Sequence, residues 1–195
     1  MKKIAFLIIM FLSMTAVNVY AKEINIDLRY KPTTVFGDHT PDGKGIPLSK
    51  PLKITPFKDA RVGDLSMVGE NNEDDEPVKI LSKSSVADFT TSVFRKVFND
   101  WGAIASDNSE LSLNGEIANF FVNETRLYVA KVRIRFYLKD RNGKVIWEGL
   151  GSGSAKRFGR SLKEENYNEV LSDALTEIFS RLLTDSSFLA AWSRE

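Results

Sequence analysis

Tyr128-Val-Ala-Lys-Val-Arg-Ile-Arg-Phe-Tyr-Leu-Lys139 is the most regular stretch of the chain. Tyr128, Ala130, Val132, Ile134, Phe136 and Leu138 occupy one side of a two-residue period; Lys131, Arg133 and Arg135 occupy the other. Such alternation marks a strand with one face in a core and one in water. Asp140-Arg-Asn-Gly143 follows, and Asn-Gly is a strong hairpin signal because these residues tolerate positive φ. The partner strand begins at Lys144 and runs through Val145, Ile146 and Trp147 into Gly149-Leu-Gly-Ser-Gly153. Upstream, Leu111, Leu113, Ile117 and Phe121 share one parity while Phe120 and Val122 take the other, so that strand is predicted to be bulged or covered on both sides. Three antiparallel strands across 111–157 are the expectation.

Helices are predicted on either side. Ser85, with Asp88 three positions on, reads as a capping-box-like start. Val86, Phe89, Val93, Val97 and Trp101 then recur at helical spacing, Phe94 and Phe98 widen the stripe, and Gly102 suits the residue past the end. The second helix is predicted to open near Ser161, with Glu164 three residues later, and to run on an apolar stripe from Tyr167 through Phe179 to Leu183. Phe188, Leu189 and Trp192 suggest a short tail helix.

Towards the N-terminus the signals are shorter. Ile24, Ile26, Leu28 and Tyr30 alternate with polar residues, as a first strand or extended arm would. Residues 31–51, rich in Pro, Gly, Asp and Lys, read as a loop. Leu52–Phe57 reads as a strand that Pro56 places at an edge, and Val78–Leu81 as another brief strand. Between them lies Glu70-Asn-Asn-Glu-Asp-Asp-Glu76; its oxygen ligands suit calcium, but the alternate-residue spacing of an EF-hand is missing and a solvated loop is expected. The fold class is α+β, in two layers: a mainly antiparallel sheet with two principal helices on one face.

The first residues read as an export signal. Lys2 and Lys3 precede an apolar run of about eleven residues, against the ~20 of a membrane-spanning helix. Val19 and Ala21 place small side chains before a predicted cut at Lys22. A signal peptide (1–21), an N-terminal arm and loop (22–51) and one α+β domain (52–195) follow as the expected organisation, with a periplasmic or secreted product and no transmembrane anchor after processing. There is no cysteine among the 195 residues, which excludes disulfides, thiolate nucleophiles and a lipid-bearing cysteine alike. Once Lys2 and Lys3 are removed, 25 Lys and Arg face 26 Asp and Glu. That balance gives no global field for nucleic acid, and no nucleic-acid partner is expected.

Candidate chemistry is sparse. His39 is the one histidine, in a predicted loop, with neither a nucleophile elbow nor a zinc-binding helix motif to accompany it. Gly149-Leu-Gly-Ser-Gly-Ser154 lacks the Lys-Ser/Thr that a phosphate loop requires and fits a strand bending close to a helix. No catalytic, metal or cofactor residues are assigned. The binding candidates are basic: Lys131, Arg133 and Arg135 on one strand face, with Lys156 and Arg157, and then Arg160 and Lys163, near its continuation. Such a face suits an anionic headgroup, a glycan or an acidic protein surface.

Ile54-Thr-Pro-Phe-Lys-Asp-Ala-Arg61, the helix before Trp101-Gly102, Leu113-Asn-Gly-Glu-Ile117, Asp140-Arg-Asn-Gly143, Tyr167-Asn-Glu-Val-Leu171 and Thr184-Asp-Ser-Ser-Phe188 appear in that order. From about Ile46 to Trp192 the chain resembles the YajG-type family of uncharacterised bacterial envelope lipoproteins. The resemblance implies an envelope location and a layered α/β fold, and it supplies no catalytic residues. The chain departs from the family in lacking the lipidation cysteine. The functional expectation is a non-enzymatic envelope binding or accessory protein, its partner an envelope protein or an anionic envelope component. The alternative is a carrier of a small amphiphile between sheet and helices, for which Phe89, Phe94, Phe98, Trp101, Phe120 and Phe121 would line the cavity.

Overall fold

The computed structural model describes residues 22–34, 51–100 and 108–193. The signal segment, His39 and its loop, and Trp101-Gly102 lie outside the described residues.

Three long strands carry the architecture: β6 (Leu111–Glu124), β7 (Tyr128–Lys139) and β8 (Val145–Arg157). They pair antiparallel, with Leu113 opposite Leu138 and Val132 opposite Gly153. The hairpin turn between β7 and β8 is the expected one: Gly143 has φ 79°, and Asp140 Oδ1 accepts from the amides of Asn142 and Lys144. On β6 the mixed parity is resolved by a bulge between Ile117 and Asn119. Ile117 upstream of it and Phe120 and Val122 downstream are all fully buried. An extra residue inserted at the bulge flips the side-chain alternation, so both parities reach one core.

Among the described residues five shorter strands join the sheet: β1 (Glu23–Ile26), β2 (Leu52–Ile54), β3 (Lys58–Asp59), β4 (Met67–Asn71) and β5 (Val78–Ser82). The order is β1-β5-β4-β6-β7-β8, with β2 and β3 also paired to β6. Because β7 occupies one edge of β6, the strands β2, β3 and β4 follow one another along its other edge, all parallel to it. β1 is parallel to β5, so the sheet is mixed around its antiparallel core. β4 is a correction to the sequence reading: Glu70 and Asn71, read as part of a solvated loop, are strand residues between β5 and β6. A five-residue strand flanked on both edges needs little alternation of its own, since neighbours supply its hydrogen bonds and its burial.

Helices α1 (Val86–Asp100), α2 (Glu164–Thr184) and α3 (Ser186–Trp192) pack on one face. Ser85 caps α1 as expected, its Oγ accepting from the Asp88 amide at 3.1 Å. Ser161 does not cap α2; the residue before that helix is Lys163, which makes no side-chain capping bond, and Ser161 Oγ accepts from Asn71 instead. The chain turns at Leu162 with φ 56°, which takes Ser161 away from the helix axis. Aromatic rings fill the space between the layers: Phe94 lies 4.1 Å from Phe179, 4.8 Å from Phe57 and 5.4 Å from Phe136, centroid to centroid. Each such ring removed from water contributes on the order of 2–3 kcal/mol.

The N-terminal arm is held to α2 by side chains. Asn168 Oδ1 accepts from the Arg29 amide and its Nδ2 donates to Asp27 O, both at 2.9 Å. Ser172 Oγ accepts from the Lys31 amide at 2.8 Å, and Asp173 accepts from the amides and hydroxyls of Thr33 and Thr34. Asn168, Ser172 and Thr176 recur four residues apart, so they form one polar stripe along the helix on which an extended strand can lie.

Candidate functional site

The exposed face of β6, β7 and β8 carries the basic residues in rows. Lys131 stands between Phe121 and Ser154, Arg133 between Asn119 and Ser152, and Arg135 between Glu116 and Leu150. Lys156 lies one row on, beside Val129. Side chains two apart on a strand share a face, so Lys131, Arg133 and Arg135 repel one another unless carboxylates intervene. For Arg135 one does: its Nε is 3.9 Å from Glu148 Oε1. The cross-strand neighbours of Lys131 and Arg133 are neutral, and neither they nor Lys156 has a carboxylate within 4.0 Å among the described residues.

Arg157 is the correction here. It sits opposite Tyr128, whose side chain is buried against α2, so the strand alternation turns Arg157 to the helix side. There its guanidinium pairs with Glu169 of α2. It does not belong to the exposed basic face. Arg160 and Lys163 lie in the link from β8 to α2, where Arg160 O accepts from Tyr128 Oη and from Asn166 Nδ2.

Two residues that the linear sequence did not single out reach the basic face from α2. Gly151 and Gly153 let α2 approach β8 closely. From that position Glu177 Oε2 accepts from the Ser154 amide at 2.7 Å, and Glu177 Oε1 holds Arg181 Nη2 at 2.5 Å. Lys131, Arg133, Asn119, Ser152, Glu177 and Arg181 thereby line one open cleft of about 460 Å³. Lys156 lines an adjoining cleft that shares Ser154, Glu177 and Arg181 with the first. The Glu177/Arg181 pair is legible as an i,i+4 ion pair, but nothing in the linear sequence says that it borders a strand twenty-odd residues upstream.

Beneath the β8–α2 link lies a buried polar cluster, also unforeseen. Glu124, 1% exposed, accepts from Tyr167 Oη and from the Leu162 amide at 2.9 Å. Tyr128 Oη donates to Arg160 O and accepts from the Lys163 amide at 3.1 Å. Together these groups satisfy the backbone of a link that has no ladder of its own. Burial, and then the hydrogen bond to Glu124, push the Tyr167 hydroxyl far above the ordinary tyrosine range, and burial also raises Tyr128. A folded-state pKa raised above the unfolded value of about 10 means full stability below pH ~10 and loss as pH climbs beyond it. Urea unfolding followed from pH 8 to 11.5 should therefore show a decline that begins near pH ~10. In Tyr167→Phe that decline should be shallower by one proton, with the remaining slope from Tyr128 and Tyr30, which burial also raises. An unchanged slope in the variant would show that Tyr167 does not titrate as its surroundings require.

No protein-family model matches the chain, and no curated protein does. Among solved structures, a DUF330 protein from Xanthomonas campestris shares the fold: 14% identity, TM-score 0.56, covering 87% of this chain and 96% of that one. A putative lipoprotein from Caulobacter crescentus is a looser likeness, with 11% identity, TM-score 0.44 and coverage of 67% and 93%. A lipoprotein from Neisseria meningitidis is looser again, with 13% identity, TM-score 0.29 and coverage of 67% and 98%. What the Xanthomonas protein has in common with this chain, at that identity, is the fold.

Proposed function

We propose that this is a non-enzymatic, exported binding or accessory protein of the bacterial cell envelope, with a YajG-type layout and a periplasmic location. Its binding surface is the basic exposed face of β7 and β8, and its partner is an anionic envelope component. The observation that carries this reading is the group Lys131, Arg133 and Lys156, exposed side by side without a carboxylate partner among the described residues. Two other cations on the same sheet stand in opposite-sign pairs, Lys79 with Glu23 and Arg135 with Glu148. Uncompensated like charges cost stability in a sheet unless an anion from outside supplies the counter-charge.

Export and the envelope location rest on the N-terminal segment and the family resemblance. The absence of an enzymatic role rests on the sparse catalytic inventory of the sequence. Among the described residues no helix is long and apolar enough to cross a membrane. The carrier alternative gains no support from Phe89, Phe94, Phe98 and Phe120, because their rings contact one another or neighbouring rings between the layers.

Double charge reversal, Lys131→Glu with Arg133→Glu, tests the reading on bacterial envelope extracts. Each basic residue near an anionic surface contributes about 1 kcal/mol, so retention should fall by at least about thirtyfold. Both side chains are exposed, and an unchanged circular dichroism spectrum and melting temperature would separate lost binding from lost folding. Retention equal to that of the unaltered protein would remove this face from consideration.

A further inference from the structure

Cations from two elements meet at the middle of β8. Lys131 and Arg133 rise from β7, and Arg181 reaches the same cleft from α2. The one carboxylate among the described residues lining it is Glu177. That carboxylate is bound as an external anion would be: one oxygen takes a backbone amide, that of Ser154, and the other takes a guanidinium. Among the described residues, however, its negative charge answers only Arg181, and no carboxylate stands within 4.0 Å of Lys131 or Arg133. A carboxylate has two oxygens and one charge; a phosphomonoester has three free oxygens in a tetrahedral array and a second charge, enough to meet an amide, a guanidinium and further cations together. Ser152 and Asn119 add neutral hydrogen-bonding groups at the rim.

Resting on the reading of this face as an anion-binding surface, the geometry points to a phosphate site in this cleft. The phosphate takes over the Ser154 amide and Arg181 from Glu177, while Lys131 and Arg133 supply the counter-charge. Glu177 is a built-in competitor, so it sets how much phosphate is needed before the site fills. The phosphomonoester belongs either to a lipid that ends in one, as phosphatidic acid does, or to a soluble phosphate ester, and the chemistry at the cleft is shared by both.

The test uses the full mature chain, with backbone amides followed by NMR. The probes are inorganic phosphate, glycerol phosphate, and vesicles of phosphatidic acid with phosphatidylethanolamine, at constant ionic strength. Inorganic phosphate should move the Ser154 and Ser152 amides with Kd about 1 mM, the weak range expected for one exposed anion site. Lys131→Gln and Arg133→Gln should each weaken that binding roughly tenfold, and Glu177→Gln should strengthen it by a similar factor. Saturation by glycerol phosphate at the same concentration as inorganic phosphate assigns the site to soluble esters. Vesicle binding at least tenfold stronger per phosphate, weakened by the same substitutions, assigns it to headgroups. A Ser154 amide indifferent to every probe, or shifted equally in the Lys131 and Arg133 variants, overturns the phosphate site. If envelope retention still falls on charge reversal in that case, the basic face stands and its ligand is another anion; if retention is also unchanged, both readings fall.

Discussion

Gly153→Ala is expected to destabilise the protein by about 3 kcal/mol or more, the upper end of what one extra methyl group does in a packed interior. A Cβ at Gly153 would stand 1.9 Å from Ala174 O and 2.9 Å from Ala174 C. Those are backbone atoms of α2, which cannot rotate aside; the whole helix would have to withdraw from β8 by more than an ångström. Withdrawal loosens Tyr167, Leu171, Leu175 and Phe179 at once, all of them buried. At Gly149, by contrast, the nearest atoms to an added Cβ belong to the ring of Trp147, and a side chain can shift. Gly149→Ala should therefore cost appreciably less. In a chain of this size the Gly153 variant should melt about 10 °C lower. Equal urea midpoints for the two variants would mean that the close approach of α2 is not what the glycine is for. The Gly153 variant should also lose the Glu177–Ser154 contact, since α2 carries Glu177.

The second large effect is expected at Arg61. Between β3 and β4, both parallel to β6, the bulged part of β6 has no neighbouring strand on that edge among the described residues. Arg61 fills the gap. Its Nη1 donates to Met67 O at 2.7 Å and to Phe120 O at 3.4 Å, its Nη2 reaches Leu65 O, and Nε and Nη2 hold both oxygens of Asp59 at 2.9 and 2.8 Å. A guanidinium thus supplies donors where a strand backbone would have done so. Burial pushes the Asp59 carboxyl up, but the hydrogen bonds from Arg61 outweigh it and hold Asp59 below the usual carboxylate range. Removing one member of such a pair leaves the other charge without compensation, which costs about 3–5 kcal/mol. Arg61→Ala should reach the lower part of that range in urea unfolding. Adding Asp59→Ala should recover part of the loss, because the stranded charge goes too. Additive losses in that cycle would show that the two residues act separately.

Arg61 also shows where a linear reading stops. It belongs to the Ile54–Arg61 motif on which the family resemblance partly rests, yet as a lone arginine after a short strand it carries no periodic signal. Its function depends on a bulge more than fifty residues later. Ala118, the extra residue there, was visible only as a change of parity between Ile117 and Phe120. The polar stripe of α2 misleads in the same way. Asn168, Ser172 and Thr176 have the character of a solvated face, yet they are 2%, 0% and 3% exposed because the N-terminal arm lies over them.

The basic face divides along similar lines. Alternation put Lys131, Arg133 and Arg135 on one side of β7, and the structure agrees. Placing Arg157 required the register of β8 against β7, and a shift of one residue exchanges the two faces. Arg157 therefore went to Glu169 on the helix side, and Lys156 kept the exposed one. The sequence by itself determined the three long strands, the hairpin turn, the helices and the side of β7 that meets water, because each follows from residues within a few positions of one another. Only the tertiary structure decided the parallel strands on β6, the place of β4, the burial of Glu124 and the arrival of Glu177 and Arg181 beside Lys131 and Arg133. Those features join segments far apart in the chain, and the contacts that select them exist only once those segments have packed together.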